Sequence, residues 1–255
     1  VTERVPTFTA EQVRAAERPL LDQGVPLMQR AAAALADVVS EEIDRLDGSA
    51  STHRPLEPMP QDLSGVIRPR VLILAGGGDN GGDALYAASR LTRIADVDVL
   101  LVADRFHQGA FAAAIGAGAR RIDLVEVSDV GADYAVVVDG ILGIGASREP
   151  ALRGAAREAV TALLALGEER GRMPRTIAVD LPSGLHPDTG DADDVVLPAS
   201  VTVTFGGVKA GLAAGRGPEL AGEVVLVDIG LGEALGAVEP AGEASVSRVV
   251  TAPQA

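Results

Sequence analysis

Val71-Leu-Ile-Leu-Ala-Gly-Gly-Gly-Asp-Asn-Gly-Gly-Asp-Ala84 sets an apolar run directly against a glycine loop that carries two carboxylates and a carboxamide. A short continuous apolar run ending in glycine predicts a strand buried on both faces, and the glycines let the backbone turn sharply and approach a ligand closely. A strand-to-helix turn of this kind is where α/β folds bind phosphate. Gly76-x-Gly78-x-x-Gly81 also fits the dinucleotide fingerprint, and Asp104 lies near the offset at which an acid would meet a ribose. Asp79, Asn80 and Asp83 argue against a plain nicotinamide site, because carboxylates beside a pyrophosphate repel it unless something positive lies between them. The loop is suited to a cation as well as to a nucleotide.

Working outward, the same alternation continues. Apolar runs at 97–102, 124–127, 134–138, 176–179, 201–205 and 224–227 read as strands, with helical patterns at 83–94, 109–117 and 152–166 between several of them. Continuous apolar strands separated by helices predict an α/β, three-layer Rossmann-like fold with a mostly parallel central sheet and helices on both faces. Upstream, Thr9-Ala-Glu-Gln12 resembles a capping box that opens a first helix, which Pro19 should end or kink. Pro26 begins a second helix whose apolar face, from Leu27 through Ala31, Leu35 and Val39, extends to about Leu46. Residues 1–46 therefore read as N-terminal helices of the same domain, 47–69 as a loop, 70–232 as the Rossmann-like core and 233–255 as a C-terminal tail or linker.

Composition narrows the function. A chain of 255 residues suits one α/β domain, and the absence of cysteine excludes disulfides, zinc thiolates and cysteine nucleophiles. A formal net charge of -14 disfavours nucleic acid and anionic membranes, so an anionic ligand must be held locally. No apolar stretch approaches the roughly 20 residues that span a bilayer, and the N-terminus lacks a secretory pattern, so a soluble, cytoplasmic protein is expected. With no Trp, two Tyr and four Phe, the chain has few platforms on which bases could stack.

In a parallel sheet ligands bind beyond the carboxyl ends of the strands, and four strands end in polar or glycine-rich turns. These are 76–83, Asp139-Gly-Ile-Leu-Gly-Ile-Gly145, Asp180-Leu-Pro-Ser-Gly184 and Gly206-Gly-Val-Lys-Ala-Gly211. Asn80, Asp139 and Ser183 are hard oxygen donors that suit a weakly polarising cation, whereas no soft ligand is present for zinc or copper. Asp180 follows an apolar strand directly, where a partly desolvated carboxylate becomes a usable acid or base, and it is the first choice for proton transfer. Lys209 could neutralise a phosphate or assist that transfer. Arg148 and Glu149 could line a nucleotide site or form a surface ion pair. The Pro187-Asp-Thr-Gly190 turn should carry His186 outward, and His53 and His107 are read as non-catalytic.

These motifs resemble those of the NAD(P)H-hydrate epimerase family, also called the YjeF N-terminal domain. Gly78-Asp-Asn-Gly-Gly-Asp83 stands for the family's Gly-Asn-Asn-Gly-Gly-Asp, and 139–145 for its Asp-Ala-x-Phe-Gly-x-Gly. Asp180-Leu-Pro-Ser-Gly-Leu185 and 205–211 stand for its Asp-Ile-Pro-Ser-Gly-Leu and Phe-x-x-x-Lys-x-Gly, in the same order and spacing. The resemblance covers about residues 7–232. It implies a homodimeric Rossmann-like enzyme that interconverts the R and S forms of NADHX and NADPHX, the C6 hydrates of reduced nicotinamide cofactors. It places potassium ligands on Asn80, Asp139 and Ser183. Substrate contacts fall on Asp79, Asn80, Gly81, Gly82 and Asp83, on Gly143, Ile144, Gly145, Ala146, Ser147, Arg148 and Glu149, and on Asp180. Asp79 replaces the family's first Asn and adds a negative charge beside the nucleotide. Many members carry a C-terminal dehydratase, so the expected partner is such a domain or a separate NAD(P)HX dehydratase. The rival readings are a non-catalytic binding or scaffold module of the same fold and an NAD-dependent dehydrogenase.

Overall fold

The computed structural model describes residues 2–46, 48, 68–130, 134–145 and 150–253. The chain begins with β1 (Glu3–Phe8), α1 (Ala10–Asp22) and α2 (Leu27–Leu46). It then runs through β2 (Arg70–Ala75), α3 (Asp79–Leu91), β3 (Asp96–Leu101), α4 (Gln108–Gly116), β4 (Arg120–Ile122), α5 (Leu124–Val130) and β5 (Tyr134–Gly140). After α6 (Gly154–Arg170) come β6 (Arg175–Val179), β7 (Val201–Phe205), β8 (Val208–Lys209), α7 (Gly217–Leu220) and β9 (Glu223–Asp228). The chain closes with α8 (Gly232–Gly236), β10 (Gly242–Val246) and β11 (Arg248–Thr251).

Eight strands form one wholly parallel sheet in the order β11-β9-β7-β6-β5-β2-β3-β4. From β2 the chain steps outward through β3 and β4, then returns to β5 on the other side of β2. The switch point therefore lies between β2 and β5, where such a sheet opens a crevice at its carboxyl edge. The apolar run that opened the reading is β2. Its Val71, Ile73 and Ala75 pack with Leu35 and Val39 of α2 and Leu85 of α3, while Leu72 and Leu74 pack on the other face with Val127 of α5 and Val160 and Leu163 of α6. These five β2 side chains are fully buried, which is why no polar alternation interrupts the run after Arg70. Val71, Leu72, Ile73 and Leu74 each contribute about 1.5–3 kcal/mol of transfer free energy.

A second sheet of three strands, β10-β1-β8, lies beside the first. The N-terminal strand is invisible to pattern reading because Pro6 argues against it. In the fold β1 pairs along its length with β10, from Glu3 opposite Val246 to Thr7 opposite Gly242, but meets β8 only at Thr7 and Phe8. Pro6 thus sits where β1 has a neighbour on one edge only.

Three expectations need correction. Residues 233–255 are not simply a tail: β10 completes the small sheet, and β11 adds the outermost strand beside β9, from Arg248 opposite Val225 to Thr251 opposite Asp228. Such short edge strands bury little, so their sequence signal is weak. Residues 124–127 form a helix, not a strand, because Asp123 and Glu126 cap it reciprocally: Glu126 N donates to Asp123 Oδ1 at 3.0 Å and Asp123 N to Glu126 Oε2 at 3.0 Å. Nor does Pro19 end α1, which continues to Asp22. Pro19 and Ala15 are both exposed, so water can reach the Ala15 carbonyl that proline leaves without a donor. The Thr9 capping box is present as read, with Gln12 N donating to Thr9 Oγ1 at 3.2 Å and Thr9 N to Gln12 Oε1 at 2.8 Å. Of the loop assigned to 47–69, residues 47 and 49–67 lie outside the described residues, His53 among them.

Candidate active site

The strand register brings the four polar turns level, since Ala75 pairs with Gly140, Asp139 with Ala178, and Val179 with Val203. Asp180 leaves β6 with φ +70°, the one non-glycine with positive φ among the described residues. Asp tolerates this conformation better than most residues, but it still stores on the order of 1–3 kcal/mol of strain. The surroundings hold it there. Asp180 N donates to Val203 O at 2.8 Å, and its Oδ1 accepts from Thr204 Oγ1 and Phe205 N, each at 3.2 Å, and from Lys209 Nζ. Lys209 is buried, and its ammonium also donates to Phe205 O at 2.9 Å and Thr204 Oγ1 at 3.3 Å. All three ammonium protons thus have acceptors, and the lysine stands behind Asp180, committed to the carboxylate and away from any phosphate.

A second cluster adjoins the first. Asp139 is fully buried at the end of β5, with Ser183 Oγ donating to Oδ1 at 2.6 Å and Ser183 N to Oδ2 at 2.8 Å. Burial raises the Asp139 pKa, and the hydrogen bonds from Ser183 and Ile141 oppose that shift. The Ser183 hydroxyl accepts from Leu142 N at 2.9 Å. Asn80, in the first turn of α3, reaches the same place and donates Nδ2 to Val179 O at 2.5 Å and Leu142 O at 3.2 Å. Gly143 is needed for this approach: a Cβ there would stand 2.2 Å from Asn80 Oδ1. The three proposed cation ligands therefore share one hydrogen-bonded knot that ties β5, β6 and α3 together.

In front of these clusters lies a cavity of about 640 Å³, walled by Asp79, Asn80, Asp83, Gly143, Ile144, Gly145 and Asp180 among the residues singled out from sequence. Gly81 and Gly82 are elsewhere on α3: a Cβ on Gly81 would meet Gly76 O at 2.1 Å, and one on Gly82 would meet Met28. Ala146, Ser147, Arg148 and Glu149 lie outside the described residues. His186 is occupied in its turn, where Nδ1 accepts from Asp188 N at 3.2 Å, and His107 caps α4 by accepting from Ala110 N at 3.0 Å.

The cavity holds one carboxylate that sequence reasoning missed. Glu17 of α1 lines it, with Leu21 and with Met28 of α2. In sequence it looks like one more charge among Arg14 and Arg18. It falls four residues after Val13 and one after Ala16, both buried, and a carboxylate beside that apolar stripe was the available signal. Glu17 and Asp83 both titrate above the ordinary carboxylate range, Asp83 well above it. Desolvation is the largest cause for each, and Asp180 and Asp79 add like-charge repulsion. A second cavity of about 270 Å³ shares Gly77, Ile141 and Leu142 with the first and is lined by Ala103, Leu152 and Arg153, with no carboxylate among the described residues.

Residues 24–211 match the family described as YjeF-related protein N-terminus. The chain belongs to this family. Over its full length this YjeF N-terminal chain is 51% identical to a protein of Microbacterium testaceum (strain StLB037) named NAD(P)H-hydrate epimerase, 90% of which is covered. It is 44% identical over 231 residues to a protein of the same name from Clavibacter michiganensis subsp. michiganensis (strain NCPPB 382), with 88% of this chain and 90% of that one covered. It is 38% identical over 230 residues to the bifunctional NAD(P)H-hydrate repair enzyme Nnr of Mycobacterium tuberculosis (strain ATCC 25618 / H37Rv), covering 88% of this chain and 41% of that one. The crystal structure of yeast ynu0 (YNL200c) has the same fold, with a TM-score of 0.61 at 17% identity over 82% of this chain and 84% of that one.

Proposed function

We propose that this chain epimerises the R and S forms of NADHX and NADPHX. The observation that carries this reading is the Asp180 carboxylate, backed by Lys209, on the wall of an acid-lined cavity. The 51% identity with a protein named NAD(P)H-hydrate epimerase supports it.

The reacting carbon bears a hydroxyl next to the ring nitrogen. When that hydroxyl leaves as water, the nitrogen lone pair forms a C6=N1 bond and the ring becomes cationic; water returning on the other face gives the other epimer. Asp180 is the proton-transfer group, and Lys209 positions it through Oδ1. Carboxylates around the ring favour the cationic intermediate over the neutral hydrate, so the stabilisation grows in the transition state. The same charges repel a diphosphate, which directs the nucleotide toward the adjoining cavity, whose described lining carries Arg153 and no carboxylate.

A potassium ion fits the Asn80, Asp139 and Ser183 knot by the chemistry of its donors, which are hard oxygens with a single carboxylate. An amide turned over presents its oxygen in place of its NH2. Bound there, potassium supplies weak electrostatic attraction and order to the loops. Gly143→Ala, which pushes a methyl into Asn80, is expected to weaken potassium activation by about 10–100-fold, read as the potassium concentration giving half-maximal rate. An unchanged potassium requirement would remove Asn80 from the ligand set.

The reading includes a homodimer and an NAD(P)HX dehydratase that consumes the S form, as a separate protein or as a further domain of the kind implied by the bifunctional relative's name. It also places the protein in the cytoplasm. Among the described residues no helix is long and apolar enough to cross a membrane. The direct test adds purified protein and potassium to NADHX enriched in the R form and follows the R to S ratio by chromatography. Rapid approach to the equilibrium ratio is expected; a rate equal to the enzyme-free blank would overturn the epimerase and favour a binding or scaffold role.

A further inference from the structure

Asp83 stands one turn beyond Asn80 and Asp79 on α3 and lines the reaction cavity. It is 6% exposed, and its Oδ1 is fully buried with no hydrogen-bond partner. Buried carboxylates are ordinarily paired, because an unpaired one pays the full cost of desolvation, whereas a carboxylic acid does not. The groups facing Asp83 deepen the contrast. Asp180 approaches from the end of β6, Asp79 from its own helix and Glu17 from α1, all carboxyl groups, and Lys209, the cation that acts on Asp83 among the described residues, is already bonded to Asp180. The wall from α2 adds Met28 and Ala31, which do not titrate. Asp180 has Lys209, Thr204 and Phe205 donating to it; Asp83 has no such donor. Two carboxyl groups on one cavity thus stand in opposite surroundings, one supplied with donors and a cation and the other with neither, the condition that separates a base from an acid.

We infer that Asp83 is the proton donor to the departing C6 hydroxyl and Asp180 the acceptor for the water that replaces it. The step rests on the epimerase reading and divides its proton transfer between two residues. The Asp83 proton passes to the hydroxyl oxygen as the C6–O bond breaks and the nitrogen lone pair closes C6=N1. Water then adds to C6, its proton passes to the Asp180 carboxylate, and the C6=N1 pair returns to nitrogen. A proton relayed from Asp180 to Asp83 through water restores both groups, with no net change in protons or electrons.

The test compares wild type, Asp83→Asn and Asp180→Asn on R-enriched NADHX with potassium across the pH range. Asp83→Asn keeps the size of the side chain and can still hydrogen-bond, but it cannot give up a proton. It should lower kcat by about 10²–10⁴-fold with KM changed little. It should also abolish the alkaline fall in rate expected of the wild type as Asp83 loses its proton. An Asp83→Asn enzyme with nearly wild-type kcat and an intact alkaline limb overturns the assignment. A wild type no faster than the blank overturns the epimerase reading itself, and this role with it. A readout independent of turnover is the infrared difference spectrum between wild type and variant at neutral pH. A lost protonated-carboxyl band is expected, and no such band in the wild type contradicts a resident proton.

Stability supplies the fold control. Because the folded pKa of Asp83 is raised, its proton favours the folded state at low pH and that gain is lost as pH rises through the folded value. Asp83→Asn should therefore gain in melting temperature relative to wild type as pH rises. A relative loss would contradict the raised folded pKa.

Discussion

Asp180→Asn is expected to lower the epimerisation rate by about 10²–10⁴-fold, the range supplied by a positioned acid–base group. Asn is the substitution that isolates the charge. It matches the shape of Asp and is among the few residues that tolerate φ near +70°, so the turn after β6 should keep its conformation. Its Oδ1 can still accept from Thr204 Oγ1 and Phe205 N. What is lost is the capacity to take a proton and the negative charge facing the ring. The measurement is the rate at saturating and subsaturating NADHX, with circular dichroism to confirm the fold. Retention of more than about a tenth of the wild-type rate would move proton transfer away from this residue.

The second large effect concerns stability. Lys209→Met should destabilise the fold by about 3–5 kcal/mol, because it leaves the Asp180 carboxylate buried without its cation. Asp180→Asn leaves the complementary fault, a buried ammonium with neutral acceptors. Each single change therefore carries the cost of one uncompensated charge. The double variant, Asp180→Asn with Lys209→Met, removes both charges and should recover a substantial part of that loss while remaining inactive. Urea denaturation of the four proteins gives the coupling energy directly. Additive losses would mean that the pair contributes little beyond packing, and Lys209 would then be a space-filling residue instead of the group that positions Asp180.

The site was legible largely because a parallel sheet delivers its chemistry at one edge. Once Val71–Ala75, Tyr134–Val138, Thr176–Val179 and Val201–Phe205 read as parallel strands, the residues following them had to meet: Asp79 and Asp180 line one cavity, with Lys209 bonded behind Asp180 and Asp139 bonded to Ser183 beside it. What the sequence hid is what depends on packing between distant segments. Whether Lys209 faces ligand or stands behind Asp180 is decided by the short β8 strand, which is too brief to carry a pattern. Glu17 reaches the cavity through the packing of α1 across the sheet edge, and Leu21 joins it there because the helix runs past Pro19. The strands β1, β10 and β11 lie on a small sheet or at a sheet edge, where half-buried residues leave a faint period.

The pairing of β1 with β10 has a consequence for biosynthesis. Arg4 and Glu243 meet across 239 positions of chain, and Phe8 on the other edge of β1 is opposite Lys209. A nascent chain lengthens by about 5–20 residues per second, so β1 waits on the order of tens of seconds after leaving the ribosome before its antiparallel neighbour exists. The β2–β9 sheet can assemble during that interval. The strand that braces Lys209 and leads into α1 acquires its full set of partners only once β10 has been made. The parallel sheet up to β9 is thus made before the small sheet that braces Lys209 can close.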